Sequence, residues 1–346
     1  MVKIIFLHPD LGIGGAERLV VDAALAFRNK GHQVSFYTNH YDPTHCFSET
    51  RDGSFPVTVV GDWIPRSIFG RFKAACAYVR MIYAAVYLAW YVIPVEEPTL
   101  IFCDLISICI PFLKMARGPF RVVFYCHHPD KLLSEEGGLL KKLYRAPLNW
   151  LEELTTSKAD QVLVNSKYTA RVYKDAFKNI KELPDICYPS INTEFFRTTS
   201  PMPLKEVVPL ENMEHYIELT DLVSLLYHCK ALVYTPSNEH FGIVPLEAMY
   251  YCKPVIAVNS GGPTETVVND VTGFLCEPTS ESVAQAMSTL MLTPDLGERL
   301  GEAGRKRFET KFSFDAFTDQ LDGILTRERQ IISEARAIDY EQKKRK

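Results

Sequence analysis

Apolar residues in this chain gather in short continuous runs that alternate with segments of helical period. "VKIIFLH" at residues 2–8 opens the series, followed by a glycine turn and a helix predicted over about residues 16–30. "HQVSFYTN", "TLIFCD", "FRVVFYCH" and "ADQVLVNS" are the further strand runs of the first half. Runs that are apolar at successive positions predict strands covered on both faces, as in a parallel sheet between helices. The second half repeats the grammar with "CKALVYTPS", a turn, the helix "VPLEAMYY", then "PVIAVNS" and "GFLCEP". Helices are predicted from about residue 280 and over about 296–311. The expectation is an α/β chain of two doubly wound, Rossmann-like domains facing a cleft. Such sheets bind ligands at the carboxyl ends of their strands, which here carry His8, Asp10, the glycines of "GIGG", Asp104, His127 and Asn165.

Two segments break the pattern. Residues 198–220, "TTSPMPLKEVVPLENMEHYIELT", hold three prolines and no strand pattern, where a second domain should open with a strand and a helix. The chain therefore divides into a first domain over 1–197, an abnormal junction over 198–220, an incomplete second domain over 221–320 and a charged helix or tail over 321–346. The other segment is residues 74–93, "AACAYVRMIYAAVYLAWYVI", the most apolar window. Its longest uncharged run, residues 81–95, falls short of the roughly 18 residues of a span. Tyr78, Tyr83, Tyr87, Trp90 and Tyr91 are aromatics of the kind that settle at headgroup depth. Arg66, Arg71, Lys73 and Arg80 suit an anionic leaflet. A crossing here would separate strands that must pair in one sheet. A helix lying in the membrane interface is expected, the alternative being a buried helix of the first domain.

An apolar share of 47% and a charged share of 23% over 346 residues describe an ordinary globular chain with room for two cores. A net charge of −4 gives no global attraction for nucleic acid. Nine scattered cysteines without a CxxC pair, and no Asn-x-Ser/Thr acceptor, fit free thiols in a reducing compartment. No cleavable signal stands at Met1, so the soluble mass is expected to face the cytosol.

Two constellations carry chemistry. In "HPDLGIGGAERL", Gly12, Gly14 and Gly15 lie between a strand and a helix, where backbone can approach a ligand and a helix N-terminus attracts anions. A dinucleotide fingerprint would need a glycine where Glu17 stands and an acidic residue where Asn39 stands, so nicotinamide binding is disfavoured. A mere tight turn remains the bland alternative. In "NEHFGIVPLEAM", Glu239 follows a strand and Glu247 sits eight residues on, within the helix. Each carboxylate can accept two charge-assisted hydrogen bonds from neighbouring hydroxyls. Between them the amides around Phe241, Gly242 and Ile243 open a helix toward any phosphate. Carboxylate, amides, carboxylate suits a hexose, a diphosphate and a ribose in a row; a surface glutamate plus a helix cap is the alternative.

"PSNEHFGIVPLEAM" with "PVIAVNSGGPTETVVNDVTGFLCEP" resembles the donor site of family-4 retaining glycosyltransferases of the GT-B fold, whose signature is Glu-x7-Glu followed by Gly-Gly-x-x-Glu. "YDPTHCF", "YCHHPD", "LYRAP", "VLVNSKYTA" and "CYPSIN" extend the resemblance to mannosyltransferases of that family acting on dolichol-linked oligosaccharide. It covers about residues 2–197 and 221–320.

The resemblance implies roles. Glu239 would hold hydroxyls of the donor mannose and Glu247 the ribose of GDP; His240, Phe241, Gly242, Ile243 and Val244 would form the donor loop, with the Gly242 and Ile243 amides facing the diphosphate. His127 would reach the transferred sugar, which makes His127 and Glu239 the catalytic candidates. Gly14 and Gly15 would close beneath the diphosphate, and Glu265 would join the donor site or merely favour its own helix start. The donor implied is GDP-mannose and the acceptor a dolichol-diphosphate-linked mannosyl-chitobiose, at the cytosolic face of the endoplasmic reticulum membrane. Other mannosyltransferases of the same pathway are potential partners, and nucleic acid is not. No metal is expected: Asp-x-Asp is absent, and His127 and His128, adjacent on a strand end, point to opposite faces. Lys343 and Lys344 resemble a dilysine retrieval signal, or are simply solvated.

The same resemblance implies what is missing. The junction should supply a strand, a basic Arg-x4-Lys-type element gripping the diphosphate, a Gly-Gly turn and further strands. Lys205 is the only cation there, and "ENMEHYIEL" looks like one surviving helix. Little or no transferase activity is therefore expected of this chain. A scaffold for neighbouring glycosylation enzymes, or a transferase using another nucleotide sugar, are the rival readings.

Overall fold

The structure, a computed structural model, describes residues 1–133, 139–191, 193–201 and 219–344. Most of the abnormal junction, with Lys205 and nearly all of the helix expected at 211–219, lies outside the described residues. Two compact units emerge, one of Met1–Asn165, Thr169–Cys187 and Thr318–Lys346, the other of Ser166–Tyr168 and Tyr188–Phe317. The linear division expected at residues 197 and 320 is thus corrected. Ser166–Tyr168 and the stretch from Tyr188 belong to the second unit, and the final helix, Phe314–Lys344, belongs to the first unit from Thr318 onward.

The first unit is built on seven parallel strands: β1 Lys3–His8, β2 Gln33–Thr38, β3 Val57–Val59, β4 Thr99–Asp104, β5 Phe120–Cys126, β6 Gln161–Val164 and β7 Asp185–Ile186. Their order is β3-β2-β1-β4-β5-β6-β7. β1 pairs with β2 on one side and β4 on the other, so the chain reverses direction across the sheet between them. That reversal opens a crevice at the carboxyl ends of β1 and β4, the usual ligand position in doubly wound sheets. β1, β4 and β5 are apolar and buried over most of their length because both faces of the sheet are covered. Phe6 of β1 packs between Phe36 and Phe102 at ring distances of 5.1 and 5.0 Å.

The apolar window forms a helix over Lys73–Tyr87 continued by one π-helical turn, Leu88–Val92. One face joins the core, with Tyr78, Met81, Ala84, Ala85 and Leu88 buried alongside Ile101 and Val122. Two expectations are corrected by that packing. Tyr78 is a core residue, and Arg80 is buried, donating to the Asp62 carboxylate at 2.8 Å and the Asn39 carbonyl at 2.5 Å. Of the five aromatics, Tyr83, Trp90 and Tyr91 are exposed, while Tyr87 is half-buried.

In the second unit, β8 Leu232–Tyr234, β9 Val255–Val258 and β10 Gly273–Cys276 form a parallel sheet in the order β10-β9-β8. Packing is close where glycine permits it: a Cβ on Gly301 would lie 1.9 Å from the Cys252 carbonyl oxygen. This brings helix Leu296–Lys311 flush against the turn that ends helix Ile243–Tyr250. β9 is buried throughout, whereas β8 is not: Val233 is 41% exposed. Parallel strands are normally covered on both faces and flanked by partners. Among the described residues no strand pairs with the outer side of β8.

Candidate functional site

In the first unit, His8 ends β1, Asp104 ends β4 and His127 follows β5, and the parallel register brings all three together. Asp104 is fully buried. Its Oδ1 lies 2.6 Å from His8 Nδ1 and its Oδ2 lies 3.1 Å from His127 Nε2. His8 Nε2 faces Glu17 Oε1 at 3.5 Å, an ion pair rather than a hydrogen bond. Burial alone would push the His8 imidazole down. The Asp104 charge and hydrogen bond, with Glu17, reverse this and hold it up at about 10. Burial would likewise raise Asp104, yet its bonds to His8 and His127 keep the carboxyl below its ordinary value. His8 is therefore an imidazolium enclosed by carboxylates. Glu17 also borders a cavity of about 350 Å³ lined with Asp10, Gly12, His40, Asp42 and Arg66 among others.

The glycine loop has unequal members. A Cβ on Gly14 would stand 2.3 Å from Glu17 Oε2, whereas one on Gly15 would meet nothing within 4 Å. Gly14 leaves room for Glu17 to fold back toward His8. Gly15, the first residue of helix Gly15–Asn29, shows no such steric need.

In the second unit, the loop before helix Ile243–Tyr250 is fixed by glycines elsewhere in the chain. The Gly262 amide donates to the Glu239 carbonyl at 2.7 Å. A Cβ on Gly261 would lie 2.3 Å from that oxygen, and one on Gly262 would lie 2.3 Å from the Phe241 Cα. "SGGP" is thus the floor on which "NEHFG" rests. Phe241 is buried against Tyr188 and Phe312 and acts as an anchor. The His240 carbonyl accepts from Ser166 Oγ at 2.6 Å. Gly242, at φ +85°, turns the chain into the helix in a conformation that suits glycine. No side chain caps this start, and Pro245 in the first turn has no N–H, so Ile243 and Val244 carry the amides presented there.

Glu239 bonds the Tyr234 hydroxyl, and Glu247 acts on it through its charge alone. Tyr234, at the end of β8, is pushed up to about 12 by burial and then by Glu239 and Glu247. Glu247 Oε2 is buried without a hydrogen-bond partner, and burial raises its carboxyl above the ordinary range. An orphaned acceptor of this kind is satisfied when a hydroxyl donor arrives. Sequence reasoning missed Tyr234; its polar tip at a strand's carboxyl end was the available signal.

Glu265 is positioned otherwise than a ligand-facing group. Its carboxylate accepts from the amides of Lys167 and Tyr168 at 2.9 and 2.8 Å and from the Tyr188 hydroxyl at 3.1 Å. It ties another helix's N-terminus instead of favouring its own. Arg307 holds the same turn through the carbonyls of Glu265 and Thr266 at 2.6 and 2.8 Å. Among the described residues, no three His, Cys, Asp or Glu side chains are grouped to hold a metal ion.

Comparison with known proteins places this geometry. The family description Glycosyltransferase Family 4 matches residues 13–195, and Glycosyl transferases group 1 matches residues 210–307. Sucrose-phosphate synthase from Thermosynechococcus elongatus shares the fold at a TM-score of 0.69 and 16% identity, over 96% of this chain and 100% of that one. Anabaena Alr3699/HepE, solved in complex with UDP, does so at 0.66 and 17%, over 94% and 100%. Fold and sequence together define a glycosyltransferase of the GT-B class. Human α-1,3/1,6-mannosyltransferase ALG2 is 42% identical, covering 94% of this chain and 96% of its own length; the mouse protein is 43% identical over the same shares. The chain belongs to the family of these α-1,3/1,6-mannosyltransferases. Both matches run over 402 aligned positions against 346 residues here, so at least 56 positions of the relatives have no counterpart in this chain.

The His8 imidazolium sets a pH dependence. Its folded value of about 10 lies above the ordinary 6.5, so its stabilisation is complete below about pH 6.5 and is lost as pH rises toward 10. His8→Gln should lower the thermal midpoint by several degrees at pH 6, and the gap to the native chain should narrow by pH 10. A gap that stays constant across that window would show that His8 carries no such charge.

Proposed function

We propose that this chain derives from an α-1,3/1,6-mannosyltransferase that takes mannose from GDP-mannose and adds it to a dolichol-diphosphate-linked oligosaccharide. The observation carrying the reading is the pair of carboxylates flanking an uncapped helix start, Glu239 bonded to Tyr234 and Glu247 buried with an unpartnered oxygen, in a chain of the ALG2 family. Glu239 would hold donor-sugar hydroxyls, Glu247 the ribose, and the amides of Ile243 and Val244 the diphosphate. His127, in the first unit, is the candidate for contact with the transferred sugar. The reading requires no metal, since amides and cationic side chains can stabilise a leaving diphosphate.

A specific observation also favours the impaired-relative reading. Among the described residues β8 is open on its outer side, and at least 56 positions of the relatives have no counterpart here, from which we infer that the donor unit lacks part of its sheet. We infer that donor binding survives in weakened form and that transfer is slow or absent. Such a chain could still act as a partner of the intact pathway enzymes.

The expected location is the cytosolic face of the endoplasmic reticulum membrane. Support comes from the exposed side of the Lys73–Tyr87 helix and its approach. Ile68 and Arg71 bond each other's backbones across a tight turn whose tip, Phe69, is 98% exposed. Phe72, Tyr83, Trp90 and Tyr91 are exposed as well, among Arg66, Arg71 and Lys73. Aromatics interleaved with cations suit an anionic headgroup layer.

Calorimetric titration tests the donor assignment. GDP-mannose should bind in preference to UDP-sugars, and Glu247→Ala should weaken it by about 1.5–3 kcal/mol, the worth of a charge-assisted bond. Glu239→Ala should weaken it comparably. Unchanged affinity in both variants would remove these residues from the site.

Flotation with vesicles tests the location. Replacing Phe69, Trp90 and Tyr91 with serine should shift the chain from anionic vesicles into the soluble fraction. Undiminished binding would place the membrane contact elsewhere.

A further inference from the structure

The geometry points to Asp104 and His8 as positioning residues for His127: with Glu17 they form a buried row of alternating charge that fixes which ring nitrogen His127 turns outward. The inference rests on the reading of His127 as the sugar-contacting histidine, but the row itself lies wholly within the first unit.

Asp104 sits at the end of β4 with both oxygens engaged, one by His8 at 2.6 Å and the other by His127 at 3.1 Å. An ionised carboxylate can only accept hydrogen bonds. His127 must therefore carry a proton on Nε2, which commits that nitrogen inward and leaves Nδ1 as the one available to a ligand. The ring has little freedom to turn otherwise, lying 4.8 Å from Tyr125 between centroids.

The arrangement would fail with Asp104 alone. A carboxylate enclosed at that depth without a counter-charge takes up a proton, and a protonated Asp104 would donate to one of the two rings. His8 prevents this by lying against Asp104 as a cation, and Glu17 balances the far side of His8 at 3.5 Å. A second-layer carboxylate is a general means of setting a histidine's tautomer and orientation. Here the carboxylate is itself held by a further histidine, which carries the row to the glycine loop. Gly14 is part of the device because its missing Cβ leaves the space taken by Glu17 Oε2. Its backbone is extended, at φ −174°, so alanine is conformationally tolerated and would displace chiefly the flexible Glu17 carboxylate.

The test is long-range ¹H–¹⁵N correlation of the imidazole nitrogens in the full chain, labelled with ¹⁵N-histidine and assigned with His8→Gln and His127→Gln. At pH 7 the native chain should show His127 as a single tautomer protonated at Nε2 and His8 protonated at both nitrogens. Asp104→Asn should mix or invert the His127 tautomer and remove a proton from His8. Gly14→Ala should move the His8 Nε2 resonance. A native His127 averaging between tautomers, or protonated on Nδ1, would overturn the proposal even if Asp104→Asn does not fold. So would an Asp104→Asn chain that folds with both histidine patterns unchanged. Separately, in a chain completed with the stretch missing relative to its full-length relatives, His127→Gln with undiminished mannosyl transfer would sink the sugar-contact reading while leaving the row intact.

Discussion

A parallel sheet delivers the carboxyl end of every strand to one edge, and the order of strands decides which ends become neighbours. In the first unit β1 lies beside β4 and β4 beside β5, so His8, Asp104 and His127 meet although 96 and 23 residues separate the pairs. Their meeting places a carboxylate where water does not reach, and that charge must be matched within the fold. His8 matches it on one side, and His127 bonds it on the other. A buried ion pair is weak evidence for stability, since desolvation offsets much of the attraction. What it gives here is a defined geometry at the mouth of the sheet.

The second unit solves a different problem, which is how to fix two carboxylates around a helix start, one of them, Glu247, with a buried and unpartnered oxygen. Gly261 and Gly262 let two backbones touch, and Phe241 drives an aromatic anchor into the core. Glu239 then reaches Tyr234, the last residue of β8, while Glu247 stands one turn into the following helix. The weakness lies in that strand itself, which carries the tyrosine yet has an open outer side among the described residues. An open strand edge invites pairing with other chains, so the loss of sheet bears on solubility as well as on catalysis.

Much of this was legible in the sequence, because continuous apolar runs mark buried parallel strands and their ends mark the site. His8, Asp104 and His127 could be picked out as strand-end residues. Their hydrogen bonds could not, because strand order is a property of tertiary packing. Glu17 shows the same limit: it stands where a dinucleotide fingerprint wants glycine, and only the fold reveals it as the partner of His8. The motif containing Glu265 is real, yet the side chain bonds two amides of another helix, which spacing along the chain does not encode. Tyr78 and Arg80 were misjudged because hydropathy over a window averages the two faces of a helix, and only one of them is buried.

We propose that this chain carries the donor site of an α-1,3/1,6-mannosyltransferase on an incomplete second unit. The most direct measurement is transfer of radiolabelled mannose from GDP-mannose to a lipid-linked mannosyl-chitobiose acceptor by membranes containing this chain. The comparison is the same chain with the missing stretch supplied from a full-length relative. Little or no product is expected from the chain as it stands, and restored product from the completed one. Turnover by the unmodified chain at the rate of the full-length relative would contradict it, as would a completed chain that folds and still transfers no mannose.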